Sequence, residues 1–158
     1  MKNLVIRAIG KLPEPWHREA VHTYEERLGA FGGIEIIELP EGHGGSAKPD
    51  EEKTRSIEAI SLLKNLPENA FVVALDETGK ALSSHDLAKK VETWSDQGRR
   101  TLVFLIGGSW GLSEEVRKRA DAILSFGPMT LPHAIARILL VEQLYRAKMI
   151  LAGKTYHK

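Results

Sequence analysis

Residues 101–111, TLVFLIGGSWG, consist of a continuous apolar run that ends at a cluster of three glycines. An apolar run without polar alternation is typical of a strand whose two faces are both covered, as in a parallel sheet between layers of helices. Residues 70–75, AFVVAL, form a second run of this kind and end at Asp76. Two such runs separated by an amphipathic segment predict an α/β fold.

The rest of the chain continues the alternation. Further strands are predicted at residues 4–9, 34–39 and 122–126, and helices at 14–28, 50–66, 84–95, around 114 and 131–151, with Ser83 or Ser84 as the cap of the third helix. Residues 41–49 lack periodicity and predict a mobile loop. We therefore expect a single domain over residues 1–158, with a mainly parallel five- to six-stranded sheet and helices on both of its faces.

Composition restricts the class of protein. The 158 residues are 42% apolar and 27% charged, which is typical of a globular domain and excludes a disordered or fibrous chain. The absence of cysteine excludes disulfides and thiolate metal sites and fits a reducing cytosol. No apolar run approaches the ~20 residues of a membrane span, and Arg7 interrupts the first apolar stretch, so we expect a cytoplasmic protein without a signal peptide or membrane partner.

The net charge of +1 is unevenly distributed. Residues 131–158 contain five basic residues and one acidic residue, whereas the preceding 130 contain 17 basic and 20 acidic residues. A basic C-terminal segment is expected either to contact a polyanion locally or simply to complement the C-terminal end of the last helix. The charge pattern alone does not favour one of these over the other.

In parallel α/β sheets, ligands bind beyond the carboxyl ends of the strands. This rule selects the three loops that follow Leu75, Ile106 and Ser125. The glycines after Ile106 follow the spacing G-G-x-x-G, which does not match the dinucleotide fingerprint G-x-G-x-x-G. They indicate either close backbone approach to a ligand or a tight turn into a helix.

Two other motif types carry no site. Residues 153–155, GKT, resemble the end of a phosphate-binding loop, but Lys148 stands where that loop needs its first glycine. The six histidines show no zinc-ligand spacing, so no metal site is predicted. His133 at the start of the final helix is expected to cap or pack.

The final helix is apolar around much of its circumference, which is typical of a helix buried in a core or against a partner. A chain of this length has little material to cover it, so we expect a homodimer formed through this helix. Arg137 and Glu142 are five residues apart and do not align, whereas Glu142 and Arg146 are four apart and can pair.

In order along the chain, these motifs resemble those of the SPOUT-class ribosomal RNA large-subunit methyltransferase H family, which methylates a pseudouridine. The matching segments run the length of the chain and are Tyr24-Glu25 with Arg27-Leu28, Leu75-Asp76 with Gly79-Lys80, Ile106-Gly107-Gly108 with Gly111-Leu112, Met129-Thr130-Leu131-Pro132-His133, Glu142-Gln143-Leu144-Tyr145-Arg146-Ala147 and Tyr156-His157-Lys158.

The resemblance implies a C-terminal trefoil knot, an obligate homodimer and S-adenosylmethionine as methyl donor. By position, the donor-binding residues are Leu75, Gly107, Phe126, Gly127, Pro128, Met129, Thr130 and Leu131. These residues lie in the three loops that the sheet rule selects independently. The knot is an arrangement that base rates alone would not suggest.

The resemblance also implies the reaction. The acceptor is the imide nitrogen (N3) of a pseudouridine, which needs a base or a positive charge to stabilise its anion. We expect His157 and Tyr156 to serve as base or anion stabiliser, Arg137 and Arg146 to hold phosphate or an imide oxygen, and Glu142 to orient an arginine.

The weak overall charge predicts a substrate within the assembled ribosome rather than naked RNA. Tyr156, Tyr145 and Trp110 are candidate platforms for base stacking. Two other functions stay open: methylation of transfer RNA, and a non-catalytic ribosome-binding factor.

Overall fold

The computed structural model describes residues 3–96 and 101–156, in which five strands form one parallel sheet of order β2-β1-β4-β3-β5. The strands are β1 (Asn3–Ile9), β2 (Ile34–Leu39), β3 (Ala70–Ala81), β4 (Thr101–Ile106) and β5 (Ala122–Ser125). The helices are α1 (Pro15–Gly29), α2 (Glu51–Leu63), α3 (Ser84–Asp96), α4 (Glu114–Arg119) and α5 (His133–Leu151). The predicted α/β class and parallel sheet are confirmed.

The apolar character of the inner strands is explained by helices on both faces. On β4, Leu102, Phe104 and Ile106 belong to the core that packs against α1, α3 and α5. Val103 and Leu105 point to the opposite face and belong to the core with α2 and α4. Because successive side chains alternate between faces, only a continuous apolar run can fill both cores.

Polar residues define where three of the helices begin. The Asp50 carboxylate accepts the Lys53 amide at 2.7 Å. The Ser83 hydroxyl accepts the Asp86 amide at 3.1 Å, which makes Ser83 the cap of α3. The Ser113 hydroxyl accepts the Val116 amide at the start of α4. Each of these bonds satisfies an amide that lacks a partner within its helix.

Strand β3 is longer than its apolar run predicts. It continues beyond Leu75 after an irregularity, so that Leu124 of β5 pairs first with Leu75 and then with Lys80. A Cβ on Gly79 would lie 2.7 Å from the Ile123 backbone, so only glycine fits there. The predicted end at residue 75 was therefore too early, because a polar bulge can interrupt a strand without ending it.

Helix α5 begins at His133, two residues later than predicted, and packs against α1 and α3. Its core-facing residues are buried, but Ile135 and Leu139 on another face are only half-buried. The strand order is consistent with the C-terminal knot that the resemblance implies. Within residues 3–96 and 101–156, no helix is long and apolar enough to cross a membrane.

Candidate active site

The carboxyl ends of β3, β4 and β5 open into one cleft of about 1680 Å³. Its walls are the segments after these strands together with the start of α5 and part of α2. The cleft exceeds the ~300–1,000 Å³ of a typical small-molecule site. It therefore has space for a nucleoside-sized ligand and for part of a second molecule.

A compact glycine turn forms the wall after β4. The Gly111 amide donates to the Gly108 carbonyl at 3.0 Å, and Gly111 has a φ of +74° that favours glycine. A Cβ on Gly107 would lie 2.8 Å from the Gly111 carbonyl carbon. The turn is thus tight and also lines the cleft. Both interpretations of the glycine motif, a tight turn and a backbone that a ligand can approach closely, therefore apply to the same residues.

The loop after β5 is held by a buried serine. The Ser125 hydroxyl oxygen lies 3.0 Å from the Gly127 amide, which donates to it, and the same hydroxyl donates to the Gly127 carbonyl. Gly127 adopts a φ of +107°, which disfavours other residues. These contacts turn the chain sharply before Pro128 and direct the following residues along the cleft.

Most of the predicted donor-binding residues meet in this cleft. The residues that line it are Leu75, Gly107, Phe126, Gly127, Met129, Thr130 and Leu131. Pro128 lies in the same loop but is not itself part of the lining. Sequence position therefore located the cleft correctly, although the individual binding roles stay predictions.

An ion pair that the motifs did not reveal braces the two sides of the cleft. Arg117 of α4 donates to the Asp76 carboxylate at 3.2 Å and to the Leu112 carbonyl at 2.7 Å. Asp76 also accepts the amide and hydroxyl of Thr78. Burial alone raises the pKa of Asp76, but the bonds from Thr78 and Arg117 outweigh burial and hold that pKa below its usual range.

Three of the predicted catalytic residues form a second cluster, at the other end of α5. Arg146 donates through Nε to the Glu142 carboxylate at 3.1 Å, and its Nη2 lies 2.5 Å from the same oxygen. The guanidinium lies over the Tyr156 ring, 4.5 Å from the ring centre. The predicted pairing of Glu142 with Arg146 is confirmed.

The environment of Tyr156 keeps its phenol protonated. Burial raises the pKa of Tyr156 most, and hydrogen bonding to Tyr24 together with the charge of Glu142 raises it further. Tyr145 packs edge-on against Tyr156 and also contacts Tyr24. Tyr145 is therefore engaged in internal packing in this chain, whereas Trp110 lines the cleft and is 38% exposed.

The cluster and the cleft are separate within one chain. Ala136 lines the cleft, and Arg146 follows ten residues later on the same helix, about 15 Å along its axis at 1.5 Å per residue. Methyl transfer requires reacting atoms within ~3.5 Å of each other. One chain alone does not bring the two groups together.

Arg137 lies apart from this cluster. It is 1% exposed, and its terminal nitrogens donate to Glu38 at 2.7 Å and to the Gly10 carbonyl at 2.8 Å. These contacts tie α5 to the ends of β1 and β2, and a role toward RNA stays a prediction. His157, the other predicted catalytic residue, lies outside the described residues.

His133 lines the cleft, although its sequence context indicated only capping or packing. Burial lowers its pKa most, and the nearby charge of Arg137 lowers it further. No short motif could have shown this, because the contact depends on where α5 starts.

Among the residues that the structure describes, no three or more His, Cys, Asp or Glu side chains form a group that could hold a metal ion.

Comparison with known proteins decides the family. The family described as "Predicted SPOUT methyltransferase" matches residues 1–157. The chain belongs to this SPOUT methyltransferase family. It is 39% identical to the ribosomal RNA large subunit methyltransferase H of Alkaliphilus oremlandii (strain OhILAs) and 36% identical to that of Lactobacillus acidophilus (strain ATCC 700396 / NCK56 / N2 / NCFM), each alignment covering 99% of both chains.

A solved structure supports the fold of this SPOUT methyltransferase. It is described as "a probable methylase family protein from Haemophilus influenzae Rd KW20" and matches with a TM-score of 0.52. The match covers 99% of this chain and 70% of the other at 13% identity, so it bears on the fold alone.

The Asp76–Arg117 pair generates a pH prediction. A carboxyl whose folded-state pKa is lowered stabilises the fold above its unfolded pKa of about 3.9, and this contribution is lost as pH falls through the folded pKa. We expect Asp76→Asn to lower Tm by about 2–6 °C at pH 7, and the difference to narrow below about pH 4.

Thermal unfolding followed by circular dichroism at several pH values measures both effects. Glu68→Gln, at an exposed glutamate in the α2–β3 loop, is the control and should leave Tm unchanged. A Tm difference for Asp76→Asn that is constant from pH 7 to pH 3 would contradict the assigned ion pair.

Proposed function

We propose that this protein transfers a methyl group from S-adenosylmethionine to N3 of a pseudouridine in large-subunit (23S) ribosomal RNA. One observation carries the proposal. The cleft at the ends of β3, β4 and β5 is lined by seven of the eight residues that correspond in position to the family's donor-binding residues. Full-length relatives at 36% and 39% identity bear the name of a ribosomal RNA large subunit methyltransferase.

The cleft residues fit an adenosyl donor because they offer backbone groups and apolar surface together. The loops around Gly107 and Gly127 contain glycines that leave the main chain accessible, while Leu75 and Leu131 add apolar walls. The sulfonium of such a donor supplies an activated methyl group. The chain then contributes binding, orientation and the exclusion of water.

The cluster on α5 suits the acceptor base. The imide nitrogen gains nucleophilicity as its proton leaves, and negative charge then spreads onto the neighbouring oxygens. Because the pKa of Tyr156 is raised, its phenol is suited to donate a hydrogen bond to an imide oxygen rather than to act as a base. Arg146, oriented by Glu142, adds positive charge beside it. His157 is then the candidate base.

A homodimer through α5 would unite the two groups. One face of α5 contains four residues spaced three or four apart, which are Ile135, Leu139, Glu142 and Arg146. Its two apolar residues, Ile135 and Leu139, are half-buried. Met129 in the cleft loop is 77% exposed. If a two-fold axis pairs this face with its copy in antiparallel fashion, the Arg146 end of one copy lies beside the cleft of the other.

The substrate is proposed to be the ribosome rather than free RNA. With a net charge of +1, the chain has little general attraction for phosphate, so specificity must come from a structured site. We expect a protein with this substrate to act in the cytoplasm, and we propose that residues 1–158 act as one methyltransferase domain.

Two measurements test the activity. Calorimetry should show binding of S-adenosylmethionine, and mass mapping of ribosomal RNA from a deletion strain should show loss of a methyl group from one pseudouridine. Complementation with the gene should restore it, and turnover should be much faster on ribosomes than on a short stem-loop. A modified transfer RNA instead would point to the tRNA-modifying alternative, and no donor binding would point to a non-catalytic ribosome-binding factor.

The C-terminal residues generate a kinetic prediction. Tyr156→Phe removes the hydrogen-bond donor and should lower the single-turnover rate about 10- to 100-fold with donor saturating, and His157→Ala should do the same. Single-turnover methylation of ribosomes from the deletion strain measures both. Normal rates for both variants would refute the assignment of these residues to catalysis.

Subunit mixing tests the shared site. Gly107→Val should deform the glycine turn that lines the cleft, because its Cβ would lie 2.8 Å from the Gly111 backbone, and Arg146→Ala should remove the guanidinium. Each variant alone should therefore be inactive. After mixing and re-association, about half of the dimers are mixed and each contains one intact site, giving about a quarter of wild-type activity. Circular dichroism confirms that each variant is folded, and a mixture that stays inactive contradicts a site built from two copies.

A further inference from the structure

Helix α2 carries a buried carboxylate directly behind the glycine turn. Glu58 is 3% exposed and lies next to Ala59 and one turn before Leu62, both of which belong to the apolar core on this face of the sheet. It does not line the cleft. Burial of a carboxylate is unfavourable unless hydrogen bonds compensate, so the contacts of Glu58 need an explanation.

Glu58 contacts two backbone segments that are far apart in the sequence. Its Oε1 accepts the Gly42 amide at 3.1 Å. The same carboxylate lies against the Gly108 backbone in the turn after β4. A Cβ on Gly108 would lie 3.0 Å from Oε1 and 3.2 Å from Oε2, so the turn approaches the carboxylate as closely as its backbone allows. One side chain thus joins the segment after β2 to the turn after β4.

The environment of Glu58 does not resemble that of a stabilising ion pair. Its Oε2 has no hydrogen-bond partner in the part of the chain that the structure describes. Burial raises its pKa most, the Gly42 and Gly108 amides lower it, and Glu41 raises it again. An apolar side chain of similar size would pack in this position without the desolvation cost. The features that an apolar residue would lose are the acceptor for the Gly42 amide and the close polar contact with the Gly108 turn.

We propose that Glu58 is a positioning residue for the methyl donor, holding the Gly107–Gly108 turn in the shape in which it lines the cleft. The inference rests on the proposed function, because it assigns a purpose to the turn that Glu58 supports. It also assigns the segment around Gly42 a part in supporting the donor site, because this segment contacts the same carboxylate. In the sequence this segment has no donor-binding motif, and the Glu58 side chain contacts both this segment and the glycine turn.

Three variants test the proposal. Glu58→Leu preserves volume but removes the acceptor, Glu58→Gln retains an oxygen acceptor without the charge, and Glu58→Asp withdraws the carboxylate by one methylene. Glu92→Gln, at an exposed glutamate on α3, is the matched control. The readouts are KM for S-adenosylmethionine, kcat on ribosomes and the calorimetric Kd of S-adenosylhomocysteine, all measured well below the lowest Tm of the set.

We expect Glu58→Leu to raise the donor KM and the Kd of S-adenosylhomocysteine about 10- to 100-fold, which corresponds to leaving the partly buried Gly42 amide without an acceptor. The ribosome KM should change little. Glu58→Gln should stay within about 3-fold of wild type, and Glu58→Asp should be intermediate. If Glu58→Leu does not fold, the intermediate effect of Glu58→Asp with rescue by Glu58→Gln still supports the proposal.

Hydrogen exchange separates this inference from the proposed function. Without any donor present, amides of residues 107–111 should exchange faster in Glu58→Leu or Glu58→Asp than in wild type or Glu92→Gln. If the wild-type protein binds no donor but the Glu58 variants still exchange faster than wild type, the proposed function is refuted. The role of Glu58 in holding the turn is then still supported. Unchanged exchange, or wild-type donor affinity in folded Glu58→Leu, would overturn the inference.

Discussion

Coverage of the sheet on both faces is the constraint on which the rest of the structure depends. Parallel strands buried on both sides need apolar residues at successive positions, and the connections between them must pass over the sheet as helices. All five strands therefore end at the same edge. The polar and glycine-rich segments that interrupt the apolar runs meet there, and this is the reason that loops distant in sequence form one cleft.

Buried charged residues connect the layers at the ends of their elements. Arg7 on β1 donates to carbonyl groups at the end of α2, at 2.6 and 2.9 Å. Arg137 connects α5 to the ends of β1 and β2, and Glu58 connects α2 to two loops. Each of these three side chains bonds to backbone groups at the end of a helix or strand or in a loop, where regular secondary structure leaves such groups without partners. Of the three, Glu58 contacts the turn after β4 that lines the cleft.

The division of the functional groups along α5 has a physical origin as well. The helix starts in the cleft at His133 and carries Glu142 and Arg146 about two and a half and three and a half turns farther on. Its half-buried face includes apolar and charged residues together, a combination that is unfavourable against solvent but suitable for an interface next to a site. Under the proposed function, a second copy of the chain would supply Glu142 and Arg146 to the cleft of the first.

Much of this fold was accessible from the sequence. The apolar runs predicted the strands, the three loops after Leu75, Ile106 and Ser125 predicted the cleft, and the four-residue spacing predicted the pairing of Glu142 with Arg146. These features depend on local periodicity and on the general rule for parallel sheets, both of which a sequence contains.

The contacts that shape the site were not accessible in this way. Asp76 and Arg117 are 41 residues apart, and Glu58 and Gly108 are 50 apart, with no periodicity relating them. The continuation of β3 past its polar bulge likewise depends on pairing with β5. Short-range patterns determine which segments become strands and helices, whereas packing of the layers decides which polar group meets which loop, because those partners become neighbours only after the sheet has formed.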